Sequence, residues 1–299
     1  MAVDSVALGG LSWRRADSDL PPARKSQRLL GSILVADGVL SEDDLERVLR
    51  EQIQSKELFG VTAKRLGLVR DDQVTRALSV QYEFPLSLEE TVLGPELFMA
   101  HDPFSARAEA IRSLRSELRL RFLSADRKTI ALVSPREGEG RSVVAANLAI
   151  AFAQAGERTL LIDANLRAPQ QADLFRLSEG PGLSSILAGR VSVEEAILAA
   201  EVFGDLGILS AGPYAPNPQE LLGRHAFNYI MESLPANFDV VLLDTAPFLT
   251  CADAQIVAAR AGACLLNTRT NKTRLNELNA CKSKLIATGV DVLGVVVSD

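Results

Sequence analysis

Thr129-Ile130-Ala131-Leu132-Val133-Ser134-Pro135-Arg136-Glu137-Gly138-Glu139-Gly140-Arg141-Ser142 runs from a buried-strand pattern into a glycine loop, and Val143 to Ala155 continues as a mostly apolar stretch of helical length. Strand, glycine loop and helix in that order form the local context of a phosphate-binding loop. Gly138 and Gly140 let the backbone turn tightly, so that the N–H groups of Glu137, Gly138, Glu139, Gly140, Arg141, Ser142 and Val143, with the positive end of the helix behind them, converge on phosphate oxygens. Ser142 is the expected Mg²⁺ ligand. Arg141 stands where such loops usually carry lysine and offers a planar fork in place of a compact ammonium. A glycine turn between strand and helix is common by itself, so the reading depends on the strands further along the chain.

Two further segments supply them. Leu160-Leu161-Ile162-Asp163-Ala164-Asn165-Leu166-Arg167 is an apolar strand ending on a carboxylate, where parallel sheets place functional residues. Asp163 is a candidate base or magnesium-shell residue. Asp239-Val240-Val241-Leu242-Leu243-Asp244-Thr245-Ala246-Pro247 repeats the pattern, and Asp244 fits a Walker B aspartate that orients magnesium or its water. Either carboxylate alone reads first as a helix N-cap after a strand. After a glycine loop, in this order, they read as a nucleotide site.

Over roughly residues 103–299 the chain resembles the bacterial tyrosine kinases (BY-kinases) of capsular and exopolysaccharide synthesis, relatives of the partition and septum-positioning P-loop ATPases. The resemblance rests on the glycine loop, on Asp163 with Arg167 and Pro169, on Asp244, on Gly182-Leu183-Ser184 through Gly189, and on Gly212-Pro213 through Asn217-Pro218-Gln219-Glu220-Leu221-Leu222. Glu109, Arg112 and Arg115 match the helix motif through which these kinases form rings, and their spacing puts them on one helix face. The resemblance implies ATP/ADP and Mg²⁺ as cofactors, with Gly138, Gly140, Arg141 and Ser142 holding phosphates and metal, Asp163 deprotonating a tyrosine hydroxyl and Asp244 ordering the metal shell. It further implies homo-oligomers, a membrane chain-length-determinant partner acting through its cytoplasmic tail, and a cytoplasmic location peripheral to the inner membrane. Three departures favour an alternative, a pseudokinase that binds nucleotide to set assembly state. Arg141 replaces lysine, Asn165 replaces the second aspartate of an Asp-x-Asp, and Val295-Val296-Val297-Ser298-Asp299 carries no tyrosine cluster. The tyrosines are Tyr82, Tyr214 and Tyr229.

Composition narrows the class. A chain of 299 residues that is 47% hydrophobic can bury a domain core plus a small companion. A net charge of −6 argues against a nucleic-acid surface and weakens a partition-ATPase reading. Cys251, Cys264 and Cys281 suit reduced thiols, and two histidines far apart suggest no zinc cluster. No apolar run reaches the roughly 18–20 residues of a spanning helix, Asn147 interrupting the best candidate, and no secretory signal follows Arg14 and Arg15.

Ahead of this region, residues 1–27 read as a flexible tail. Gly31, Gly38, Asp43, Leu49 and Gln52 then recur 29 positions later as Gly60, Gly67, Asp72, Leu78 and Gln81, which marks a duplicated unit over 28–88. Each copy holds a short apolar helix, a glycine stop, a capping turn and a second helix. The repeat resembles the N-terminal domain of type II secretion and type IV pilus ATPases, whose ligand-binding form takes cyclic di-GMP through an Arg-Leu-Gly start. Leu29 and Leu58 stand two before the repeat glycines, so a protein-docking or packing module is preferred to a dinucleotide sensor. Residues 89–105 are read as a linker, and 106–299 as the P-loop domain. The expected architecture is α/β, a doubly wound and mostly parallel sheet with strands at 129–133, 159–163, 206–209, 239–243, 263–267 and 292–297, preceded by a small helical domain.

Overall fold

The computed structural model describes residues 29–81, 93–124 and 126–299, so the tail expected over 1–27, and Tyr82, lie outside the described residues. The described residues fall into two compact units, one within 29–81 and one over 93–299.

The first unit is built twice from one pattern. Helices α1 (Leu30–Ala36) and α2 (Glu42–Ser55) form one copy, and α3 (Phe59–Arg65) and α4 (Asp71–Gln81) the other. Gly38 and Gly67 end the short helices with the same left-handed φ of 69°, a conformation that costs glycine nothing. Ser41 caps α2 in a capping box with Asp44. At the equivalent place Gln73 Oε1 accepts the Arg70 N–H at 2.9 Å. The buried cluster takes Leu34, Leu40 and Val48 from the first copy and Ala63, Val69 and Ala77 from the second, which are equivalent positions. The repeat in the sequence is therefore a repeat of core positions.

The second unit is a seven-stranded sheet: β1 (Thr129–Val133), β2 (Thr159–Asp163), β3 (Ile197–Ala199), β4 (Leu206–Leu209), β5 (Val240–Asp244), β6 (Ala263–Arg269) and β7 (Asp291–Ser298). Their order is β3-β4-β2-β5-β1-β6-β7, and every neighbouring pair is parallel except β3 with β4. Every residue of β1, β2, β4 and β5 is buried, the signature of strands covered on both faces. The antiparallel edge strand β3 was not expected. It is three residues long, comes from the alanine-rich run Ala196–Ala200, and is held through β4 alone, so pairing overrides a weak local preference.

Residues 93–105 differ from the linker expected there. Leu97, Met99 and Ala100 are in the core, and a short helix, α5 (Phe98–His101), lies against the longer α7 (Arg141–Ala153), with α6 (Ala106–Arg121) between them in sequence. The cause is Asn147, the polar residue that interrupts the apolar helix. Its Oδ1 accepts the Met99 N–H at 2.9 Å, and its Nδ2 donates to the carbonyls of Glu96 and Val143, each at 2.9 Å. A buried amide thus satisfies backbone groups that a linker would have left to water.

Asn147→Ala would strand the Met99 N–H and the Glu96 carbonyl, and is expected to destabilise the 93–299 unit by about 2–3 kcal/mol. Chemical denaturation followed by circular dichroism checks this; an unchanged midpoint would mean that the amide does not hold residues 94–101.

Candidate nucleotide site

The glycine loop sits between β1 and α7. Gly138 and Gly140 take φ of 72° and 79°, as the tight turn requires. Gly140 is the N-cap of α7 and brings no side-chain cap, so the first-turn N–H groups of a 13-residue helix are left for a ligand. A cavity of about 220 Å³ opens over the loop, lined by residues 137–143 and, opposite them, by Asn165, Arg167, Gln170 and Thr250. Left-handed glycines and free helix N–H groups at the floor of a cavity fit the phosphates of a nucleotide. Among the described residues no group of three or more His, Cys, Asp or Glu side chains could hold a cation, so Mg²⁺ here would depend on the Ser142 hydroxyl and phosphate oxygens.

The loop is braced from outside. The Glu139 side chain, expected near nucleotide only through its place in the motif, is buried and turned into the protein. Its Oε2 accepts the Arg136 N–H at 2.8 Å and its Oε1 accepts from Thr273 Oγ1. Asn267 Nδ2 donates to the Glu139 carbonyl, and Lys272 Nζ to the Gly138 carbonyl at 2.9 Å. No sequence motif pointed to Asn267, Lys272 or Thr273, because a brace across the sheet leaves no local spacing.

Behind the loop, β2 and β5 pair in register with Asp163 directly beside Asp244. Both are fully buried. Asp163 accepts three backbone N–H groups, from Asn165 at 3.1 Å and from Gln170 and Gln171 at 2.9 Å each. Burial, and then the neighbouring Asp244 charge, push the Asp163 carboxyl up to about 7 against those three bonds. Asp244 is held by side chains: Arg141 Nε reaches Oδ1 and Gln171 Nε2 reaches Oδ2, both at 2.8 Å.

Arg141 lines the cavity, but its guanidinium fork is engaged within the protein. Its guanidinium is 6% exposed, binds Asp244 and donates through Nη1 to Ser134 Oγ at 2.9 Å. A buried carboxylate beside another needs a cation, and in this conformation the arginine supplies it. Asn165, which replaces the second aspartate of the Asp-x-Asp, is turned into its own loop. Its Nδ2 donates to the Ala168 carbonyl at 2.6 Å and its Oδ1 accepts the Ala168 N–H at 3.3 Å, which closes the turn after β2. Arg167 makes a two-pronged ion pair with the buried Asp253, at 2.7 and 3.1 Å.

On α6, Glu109 and Arg112 pair with each other at 2.9 Å. Arg115 Nη1 donates to the Ala151 carbonyl in the last turn of α7 at 2.9 Å, so it pins two helices of its own chain. The segments at 182–184 and 210–213 lie against one another: Ser184 Oγ donates to the Pro213 carbonyl at 2.8 Å, and a Cβ on Gly182 would sit 2.3 Å from the Gly212 nitrogen. Among the described residues no helix is long and apolar enough to cross a membrane.

A parallel sheet with a glycine loop after β1 and carboxylates closing β2 and β5 defines a P-loop nucleotide-binding class of protein. A family model described as an AAA domain matches residues 127–275. The putative tyrosine-protein kinase CapB of Staphylococcus aureus is 31% identical over 71% of this chain and 92% of its own. The putative tyrosine-protein kinase EpsB of Ralstonia solanacearum is 33% identical over 89% of this chain, which spans 38% of EpsB. The crystal structure of the chimerical protein CapA2B2 superposes with a TM-score of 0.64 at 32% identity, covering 74% of this chain and 97% of that one. The chain belongs to the bacterial tyrosine-protein kinase family.

The raised Asp163 carboxyl has a sign that can be tested. Unfolded, it ionises near 3.8; folded, near 7, so between these values the native state keeps a proton that the unfolded chain has lost. Stability from this group is full below about pH 4 and falls as pH rises through about 7. Asp163→Asn is expected to flatten the change in denaturation midpoint between about pH 5 and about pH 8, whatever its effect on the absolute midpoint. Parallel pH profiles for variant and wild type would show that the carboxyl ionises as it does in the unfolded chain.

Proposed function

We propose that this chain is the ATP-binding, kinase-type subunit of an exopolysaccharide polymerisation and export assembly, with tyrosine hydroxyls as phosphate acceptors. The observation that carries the reading is the pair of strand-end carboxylates, level with each other behind a glycine loop whose helix N–H groups are free. Residues 137–143 would hold the phosphates, Ser142 would give its hydroxyl to Mg²⁺, and Asp244 would order the metal shell. The cation would neutralise charge on the transferring phosphoryl group. Asp163, whose proton affinity lies in the neutral range, is matched to accept a tyrosine proton. Because it is buried under the turn at 165–171, that role requires the turn to open. Of the described tyrosines, Tyr214 and Tyr229 are 84% and 67% exposed and are the acceptors available in cis.

By family membership, the partner would be a membrane chain-length-determinant protein whose cytoplasmic tail completes the site and brings the chain to the inner membrane. A second reading, a nucleotide-dependent assembly regulator without phosphoryl transfer, is favoured by one observation: the Arg141–Asp244 ion pair occupies two groups that transfer would need.

Mg-ATP with and without the partner's tail, read by phosphotyrosine detection, separates the two. On the kinase reading, Arg141→Ala weakens nucleotide binding about tenfold, roughly 1.4 kcal/mol, and abolishes transfer. Arg141→Lys retains or raises transfer, since a lysine can release Asp244 and reach the phosphates. Silence in wild type and in Arg141→Lys alike, with nucleotide still bound, supports the regulator.

Homo-oligomers through Glu109, Arg112 and Arg115 belong to the same proposal. Arg115 also pins α7, so its reversal mixes folding with assembly, whereas Arg112 is paired within its own helix. Arg112→Glu is expected to lower the mass seen by light scattering with nucleotide and partner tail present. A wild type that stays monomeric under those conditions removes the oligomer from the proposal.

A further inference from the structure

Gln171 belongs to no motif, yet it touches three members of the site. Its backbone N–H donates to Asp163 Oδ2 at 2.9 Å. Its side-chain Nε2 donates to Asp244 Oδ2 at 2.8 Å and to the Ser142 carbonyl at 3.2 Å. Both neighbours of Nε2 are acceptors, so the amide can be oriented in only one way. That orientation leaves Oε1 fully buried with no hydrogen-bond partner. Buried acceptors without donors are rare in native proteins, and each asks which donor is missing. No protein group donates to it. Arg141 is committed to Asp244 and Ser134, and the Asn165 amide to the Ala168 carbonyl.

We propose that Gln171 is a positioning residue that fixes Asp244 against the first turn of α7 and presents Oε1 to a water in the shell of a divalent cation bound with nucleotide at Ser142. This rests on the nucleotide-site reading above and adds to it the residue that couples the metal shell to Asp244. The two ends of the amide divide the work. The NH₂ end ties the Asp244 carboxylate to the Ser142 backbone, so the carboxylate keeps its place when Arg141 is drawn toward phosphate. The carbonyl end offers a neutral acceptor, which a water on a cation, a donor through both hydrogens, requires. A neutral acceptor also suits a site that already holds two adjacent carboxylates. It stands in for the carboxylate that Asn165, turned into its own loop, does not provide.

The test compares ADP binding to the full chain by calorimetry in Mg²⁺ and in EDTA, for wild type and Gln171→Met, an apolar side chain of similar volume. Wild type is expected to bind ADP more tightly with Mg²⁺. In Gln171→Met that enhancement is expected to fall about tenfold, while affinity in EDTA changes by less than about twofold. If Gln171 only supports the fold, both affinities fall together or the Mg²⁺ enhancement persists, and either result overturns the inference. Gln171→Ala, read by the same ratio, replaces the methionine variant if that one melts early. A wild type that binds no ADP in either solution overturns the nucleotide site itself and this inference with it; a wild type that binds, beside a variant with an unchanged ratio, overturns this inference alone.

Discussion

Two carboxylates at the ends of adjacent strands, in register and out of contact with water, set the terms for everything around them. Moving one ion into a protein interior costs several kcal/mol, and a second of the same sign beside it costs more. The chain meets the cost by different means on each side. Asp163 gathers three backbone N–H groups by curling residues 165–171 around itself, and it keeps its proton to about pH 7. Asp244 gathers a guanidinium and an amide. The turn after β2, the inward direction of Arg141 and the burial of Gln171 all follow from this pair.

The same pair shows what a substitution of lysine by arginine changes. Charge is conserved, but a guanidinium can hold a carboxylate with one nitrogen and a hydroxyl with another, and so tie β5 to the start of the glycine loop. The site in this conformation keeps a few groups without protein partners: Oε1 of Gln171, Oδ1 of the bracing Asn267, and the helix N–H groups of the loop.

Much of this was legible in the sequence wherever a feature is written in local spacing. The strand, glycine loop and helix at 129–155, the strand-end carboxylates and the 29-residue repeat each depend on neighbours in the chain, and the elements found match those expected within a residue or two at most boundaries. What was not legible depends on distant partners. Strand β3 exists because β4 pairs with it. Residues 93–105 are ordered by an asparagine some fifty positions away, which in the sequence only interrupted an apolar run. The direction of Arg141, the inward turn of Glu139 and the importance of Gln171 are set by groups distant in the chain, and no pattern around a single arginine, glutamate or glutamine announces them.

The duplicated helical unit has a consequence for assembly fidelity. Two copies of one motif invite the wrong pairing, in which a hairpin meets its own counterpart from another chain. Equivalent core positions differ in size: Leu34 against Ala63, Leu40 against Val69 and Val48 against Ala77 are larger in the first copy, and Phe59 against Leu30 and Leu68 against Val39 in the second. A pair of like copies would set large against large at some of these positions and small against small at others, whereas one of each sets large against small. Unequal volumes thus favour the pairing of unlike halves over the pairing of like ones.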